Sequence, residues 1–327
     1  MEFLVIGLGS MGKRRIRLLK NNFKNIKIVG VDKKEDRRNE SEKKYNISTY
    51  KTIEKAVKNN NLTAGIVCTS PLSHANIIKI CFSHELHVFT EINLVKDEYE
   101  DIIEASKNKG LELFLSSTMI YRKELDYIYK KVENEEQKVN YRYHVGQYLP
   151  DWHPWEDYND FFVENKRTNG CRELFAIELP WIIRTFGEIE EIKCFKDKIS
   201  ELNIEYPDIY SVLLKHKDGH IGNINMDIVS RKAIRNLEVY SENMHLFWDG
   251  TPTGLEEYNF ESEEMKNIDT YKNIDQNNNY ASNIIENVYL DELKIFIDKI
   301  KGQNNEKYTF EDDLYTLSII DQIEGNI

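Results

Sequence analysis

Within the first dozen residues an apolar run, Phe3-Leu4-Val5-Ile6, leads directly into Gly7-Leu8-Gly9-Ser10-Met11-Gly12, a G-x-G-x-x-G turn. A basic, helix-compatible stretch follows, and a second apolar run, Ile26 to Val31, ends at Asp32. The order is strand, tight turn, helix, strand, acid, and few folds accommodate it. Gly7 permits the turn out of the strand, Gly9 lets the backbone approach a pyrophosphate, and Gly12 lets the helix pack close to the sheet. The unpaired N–H groups of the first helical turn, at Ser10 and Met11, would hold the phosphates, and the helix dipole favours negative charge there. Asp32 stands where a carboxylate can accept hydrogen bonds from both ribose hydroxyls. The pattern predicts a dinucleotide site that prefers NAD(H), because Asp32 repels a 2′-phosphate.

The chain of 327 residues is long enough for two domains, and its formal charge of -12 argues against a nucleic-acid partner. One local basic run, Lys33, Lys34, Arg37 and Arg38, reads either as a solvated loop and helix start or as a contact for the adenosine end of the cofactor. Cys68, Cys81, Cys171 and Cys194 show no metal-ligand spacing, so no metal site is expected, and they fit a reducing cytoplasm. No apolar stretch reaches membrane-spanning length.

Residues 1–120 alternate strand-like and helix-like segments, which predicts an α/β, doubly wound parallel sheet. Ser73 is the expected N-cap of a helix running to Ser83. Residues 121–327 change rhythm and form the expected substrate-binding and oligomerisation domain. A helix over 171–186, closed by Gly187, precedes consecutive strands without intervening helices, as in an open, mostly antiparallel sheet. Lys217-Asp218-Gly219 is a hairpin signal, residues 261–279 read as a loop, and helices over 280–301 and 310–322 finish the chain.

At this point the chain resembles the Gfo/Idh/MocA family of NAD(P)-dependent oxidoreductases. Gly7, Gly9 and Gly12 match its N-terminal turn. Ser70-Pro71-Leu72-Ser73-His74 matches its T/S-P-x-x-x-H loop. His87-Val88-Phe89-Thr90-Glu91-Ile92-Asn93 occupies the place of its H-V-x-x-E-K-P strand. The resemblance implies cofactor contacts from Thr69, Ser70, Pro71, His74, Glu91 and Asn93, and a substrate contact from Tyr121. It also exposes two departures. The family's catalytic lysine is Ile92 here. In the G-G-x-x-x-D-x-G-x-H segment, read here from Asn169 to Glu178, Glu173 can stand for the aspartate. The histidine position falls on Ile177 or, with a one-residue slip, Glu178.

Hydride transfer at a hydroxyl carbon needs a side chain that moves the hydroxyl proton. The densest supply of candidates is the stretch from Tyr148 to Tyr158, followed by Lys166, Asn169 and Arg172. Trp152 and Trp155 suit stacking on a sugar, or else anchor a long loop against the sheet. His153 titrates in the right range, and Lys166 requires partial burial beside a second cation such as Arg172. Leu174, Ile177, Glu178 and Trp181 share one helical face, which makes Glu178 an acid on an apolar face. It serves there as a general acid or as the structural partner of Arg172, Lys166 or Arg184. The expected catalytic candidates are therefore His153, Lys166 and Glu178, with substrate contacts from Tyr121, Trp152, Trp155, Asn169, Arg172 and Glu173. His144, at a strand end, reads as structural. The function expected is NAD-dependent hydride transfer on a sugar or nucleotide-sugar by a cytoplasmic homodimer or homotetramer. A retained-NAD epimerase or lyase, and a cofactor-binding protein without turnover, stay open.

Overall fold

The computed structural model describes residues 1–152, 157–276 and 283–325. It separates into two units, one of Met1–Ser117 with Tyr289–Leu314 and one of Thr118–Val288 with Tyr315–Ile327.

In the first unit the apolar runs become β1 (Glu2–Ile6), β2 (Lys27–Val31), β3 (Ser48–Tyr50), β4 (Ala64–Val67), β5 (His87–Thr90) and β6 (Leu113–Leu115). Between them lie α1 (Ser10–Asn22), α2 (Glu35–Tyr45), α3 (Ile53–Asn59), α4 (His74–Ser83) and α5 (Tyr99–Lys109). The strands form one parallel sheet in the order β3-β2-β1-β4-β5-β6. Phe3, Leu4, Val5, Ala64, Ile66 and Val67 are buried without alternation, as a sheet covered on both faces requires. The strand order reverses between β1 and β4, and that switch point is where such sheets bind ligands. The short edge strand β3 gave no sequence signal, because its three residues alternate little and none is buried.

In the second unit α6 (Lys123–Glu133) precedes β7 (Asn140–Gly146), and α7 (Gly170–Phe186) precedes β8 (Ile189–Asp197). β9 (Ile209–His216), β10 (Ile221–Asp227), β11 (Ile234–Tyr240), β12 (His245–Trp248), β13 (Leu255–Asn259) and β14 (Glu264–Asn267) follow. The sheet order is β14-β13-β12-β11-β7-β10-β9-β8, with β7 and β10 parallel and the other pairs antiparallel. This is the α/β class expected, with a parallel first sheet and a mostly antiparallel second one. Burial alternates strictly along β9, so one face is covered and one is open. α7 covers the first face. The Tyr141 and Phe186 rings stack at 4.1 Å, and Tyr143 meets Trp181 edge-on at 5.3 Å. Phe175 meets Tyr210 edge-on at 5.4 Å. Gly187 closes α7 at φ +86, where a Cβ would strike the Asp218 carboxylate. The open face carries Phe195, 82% exposed, with Leu213 and Ile221.

Three expectations change. The segment over 261–279 contains β14, an edge strand whose four residues are all exposed, so it offers no burial pattern to read. Ser73 precedes α4 but its hydroxyl donates to Ser70 O at 2.7 Å and caps nothing, because the turn Pro71–Ser73 comes first. The chain also returns to its first unit. The helix α8 (Glu286–Ile300) brings Phe296 to Phe3, Phe89 and Phe114, at 6.1, 5.6 and 6.0 Å between centroids. The final helix, α9 (Phe310–Glu324), is divided between the units at Leu314. Two contiguous halves, 1–120 and 121–327, thus become one boundary at Ser117 and a second passage near the C-terminus.

Candidate functional site

The turn after β1 is built as its glycines require. Gly7 sits at φ +91, and a Cβ there would lie 2.6 Å from Cys68 O. At Gly12 a Cβ would lie 1.9 Å from Gly7 O, so the start of α1 can touch the turn only as glycine. Gly9 differs: a Cβ there would meet only Arg37, at 3.5 Å from Nη1. Among the described residues the Gly9 position is left open, and Gly9, as the N-cap of α1, has no side chain to cap the N–H groups that begin the helix at Ser10 and Met11. That is a cradle for a phosphate. Asp32, 8% exposed, accepts from Leu8 N through Oδ2 and from Lys34 N through Oδ1, both at 2.8 Å. Its carboxylate keeps lone pairs for a ribose. These residues fit the adenosine and pyrophosphate part of a dinucleotide.

Beside this turn the remaining expected cofactor residues bond to one another. Thr69 Oγ1 and Ser73 Oγ are 2.8 Å apart, and Pro71 begins the turn before α4. Buried His74 donates from Nε2 to Thr69 O at 2.9 Å and faces Asn93 Oδ1 through Nδ1 at 2.5 Å. Burial lowers its affinity for a proton, which holds the ring neutral. Asn93 Nδ2 has no partner as placed. Turning the amide over lets it donate to the neutral ring. Glu91 is committed to Arg15, with Nε 2.6 Å from Oε1 and Nη2 3.1 Å from Oε2. Arg15, fully buried on α1, also bonds Glu292 of α8 at 2.8 Å and Ser116 at 3.1 Å. Burial pushes the Glu292 carboxyl up to about 7 against the pull of Arg15. Sequence reading missed this cluster, since Arg15 and Glu292 lie at opposite ends of the chain.

In the second unit, His153 and Trp155 lie outside the described residues. Trp152 donates from Nε1 to Gln147 O at 3.1 Å, and Tyr121 is buried in the turn Thr118–Tyr121. Lys166 is exposed, rather than partly buried beside a cation. Asn169 caps α7 by accepting from Arg172 N at 2.8 Å, and its amide donates to Glu324 at 2.8 Å. The Arg172 guanidinium bonds Asp321 at 2.8 Å and also Glu324. These two expected substrate residues anchor the start of α7 to α9.

Glu178 is fully buried and paired, but with Arg235 of β11 rather than with Arg172, Lys166 or Arg184. Its Oε1 accepts from Arg235 Nε at 3.0 Å and Nη2 at 2.7 Å. Its Oε2 accepts from Tyr143 at 2.7 Å and Trp181 at 2.8 Å. Glu173, five residues earlier in α7, is the opposite case. Among the described residues its Oε2 is buried without a hydrogen-bond partner, and burial pushes the carboxyl up to about 8. His144 bonds Asp227 at 2.8 Å, half-exposed at the ends of the parallel pair β7 and β10. Ser230 shares the same oxygen of Asp227 at 3.0 Å.

Comparison with known proteins agrees with the fold. Residues 1–116 match the Gfo/Idh/MocA family, described as an oxidoreductase family with an NAD-binding Rossmann fold. Myo-inositol 2-dehydrogenase of Thermotoga maritima is 28% identical over 137 residues, a stretch that spans 41% of either protein. Among solved structures, myo-inositol 2-dehydrogenase from Lactobacillus plantarum superposes with a TM-score of 0.79 at 16% identity, over 99% of this chain and 96% of that one. The WlbA dehydrogenase from Chromobacterium violaceum, solved with NADH and UDP-GlcNAcA, gives 0.76 at 13% identity over 99% and 92%. At these identities the structural likeness is one of fold.

Proposed function

We propose that this chain, a member of the Gfo/Idh/MocA oxidoreductase family through its first 116 residues, is an NAD-dependent dehydrogenase acting on a hydroxyl or keto carbon of a polyol, sugar or nucleotide-sugar. The observation that carries the reading is the turn after β1, with Gly9 open, the first N–H groups of α1 uncapped and Asp32 at the end of β2. The substrate class follows the relatives, which act on myo-inositol or were crystallised with a UDP-sugar.

The turn from Gly7 to Gly12 and Asp32 would hold the dinucleotide, whose nicotinamide would supply or take up the hydride. The chain must then move one proton at the substrate oxygen, without the lysine whose place Ile92 takes. Among the described candidates both carboxyl oxygens of Glu178 are taken up by Arg235, Tyr143 and Trp181, and Lys166 is exposed. Glu173 supports the role best: a half-buried residue whose Oε2 is itself buried and unpartnered among the described residues, with a proton affinity displaced to about 8. Protonated, it donates to the oxygen of a carbonyl being reduced. Ionised, it takes the proton of an alcohol being oxidised. Glu178 positions α7 against the sheet. The open face of the second sheet, with Phe195, Leu213 and Ile221, supports a homodimer or homotetramer.

Steady-state turnover across pH on a panel of polyols and UDP-sugars tests this reading. Oxidation is expected to rise with pH through about 8, and reduction to fall through it. Full turnover by Glu173→Gln on an identified substrate would remove Glu173 from its role.

A further inference from the structure

Asn93 stands where the family pattern has a proline, and it brings to that place an amide that a proline cannot supply. The residue is 2% exposed, and His74 and Thr90 are buried beside it. The His74 ring states what it needs. Its Nε2 is 2.9 Å from Thr69 O, and a carbonyl only accepts, so Nε2 carries the proton. Burial keeps the ring neutral, which leaves Nδ1 as a bare lone pair in want of a donor. Thr90 Oγ1 is 3.2 Å from Nδ1, but it is also 3.2 Å from Glu91 O and has one proton to give. The Asn93 amide lies closer, at 2.5 Å, and its Nδ2 is a buried donor without a partner among the described residues. With the amide turned over, one bond satisfies both groups. The Tyr99 hydroxyl, on the other side of the amide, then has Oδ1 to donate to besides Asp313.

The carbonyl that this ring holds belongs to a wall of the turn after β1. A Cβ at Gly7 would lie 3.0 Å from Thr69 Cγ2 and 2.6 Å from Cys68 O. A sheet of this order is two mononucleotide-binding halves, and Asp32 at the end of β2 assigns the adenosine to the first. Thr69 follows β4, and Asn93 follows β5, so both belong to the half left for the nicotinamide. We infer that Asn93 is a positioning residue of that half: it fixes His74 in the tautomer protonated at Nε2, and the ring in turn orients the Thr69 carbonyl beside Gly7. The inference rests on the dinucleotide reading above and adds to it the residue that shapes its second half. Asn93 acts through the ring, as donor to a nitrogen that would otherwise be buried unpaired.

Nitrogen NMR of the intact protein labelled with 15N-histidine reads the tautomer directly, with the His74 signals identified by their absence from His74→Gln. The expected native signature is a protonated Nε2 and a bare Nδ1, unchanged from about pH 6 to about pH 8. Asn93→Asp offers Nδ1 only an acceptor and is expected to put a proton on it. Asn93→Leu is expected to weaken NADH about tenfold or more in a titration while AMP stays within about twofold. Added to His74→Gln, Asn93→Leu is expected to weaken NADH no further, because the two residues act as one unit. The inference is overturned if native His74 carries a proton on Nδ1, or if Asn93→Asp leaves the signature unchanged. It is equally overturned if Asn93→Leu binds NADH like the native protein or weakens AMP as much as NADH, or if the two substitutions add. The native signature decides the tautomer whether or not a variant folds. If the native protein binds neither NADH nor AMP, the dinucleotide reading falls and this inference with it. Native NADH binding that Asn93→Leu leaves intact overturns only the inference.

Discussion

Replacing Glu173 by glutamine separates a proton carrier from a merely buried acid. Burial moves its carboxyl from an ordinary 4.5 to about 8 in the folded chain. A group raised on folding stabilises the fold fully below its unfolded value, and that stability is lost as pH rises through the folded value. From 4.5 to about pH 7, at about 1.36 kcal/mol per pH unit, the loss reaches about 3 kcal/mol. Glutamine has the same shape and no charge to bury, so Glu173→Gln should remove this pH dependence. Urea unfolding at about pH 5 and about pH 7 measures it: the variant should gain on the native protein by about 2.5 kcal/mol between the two. On an identified substrate the same variant should lose about a hundredfold or more in kcat with NAD affinity nearly unchanged. Parallel stability profiles would refute the displaced proton affinity. A more stable variant with full turnover would leave Glu173 buried but idle.

Arg235→Ala should destabilise the protein by about 3–5 kcal/mol in thermal or urea unfolding, because it strands the fully buried Glu178 charge. Adding Glu178→Leu should recover most of that loss. Gly9→Ala should fold normally, its Cβ meeting only Arg37, yet weaken NAD binding about tenfold or more in a titration. Gly12→Ala should instead lower the melting temperature, since its Cβ would fall 1.9 Å from Gly7 O. Light scattering at micromolar concentration should give a dimer or tetramer, and Phe195→Glu on the open sheet face should shift it toward monomer.

The fold was legible wherever a single segment carried its own physics. The turn from Gly7 to Gly12 states its geometry locally, and the buried runs of β1 and β4 read as parallel strands because they do not alternate. Gly187 ends α7 at φ +86 for the same local reason. The parts that escaped depend on partners far away in sequence. Nothing near Glu178 points to Arg235, which lies across the sheet on β11, so the helical pattern marked a buried acid without its counter-ion. Arg15 looked like one more cation on a basic helix, yet it is buried between Glu91 and Glu292. β14 has no apolar side to betray it, and only its pairing with β13 makes it a strand. Glu173 and Glu178 are both acids in one helix, and only the three-dimensional surroundings distinguish the paired one from the unpaired one.

The most direct test of the account is a titration of NADH into the intact protein, read by nicotinamide fluorescence and repeated with Gly9→Ala. The expected result is saturable binding at one NADH per chain, with a Kd below about 1 mM, weakened about tenfold or more by the variant. Absence of saturable binding to the folded native protein, or binding that ignores a side chain at Gly9, would contradict it.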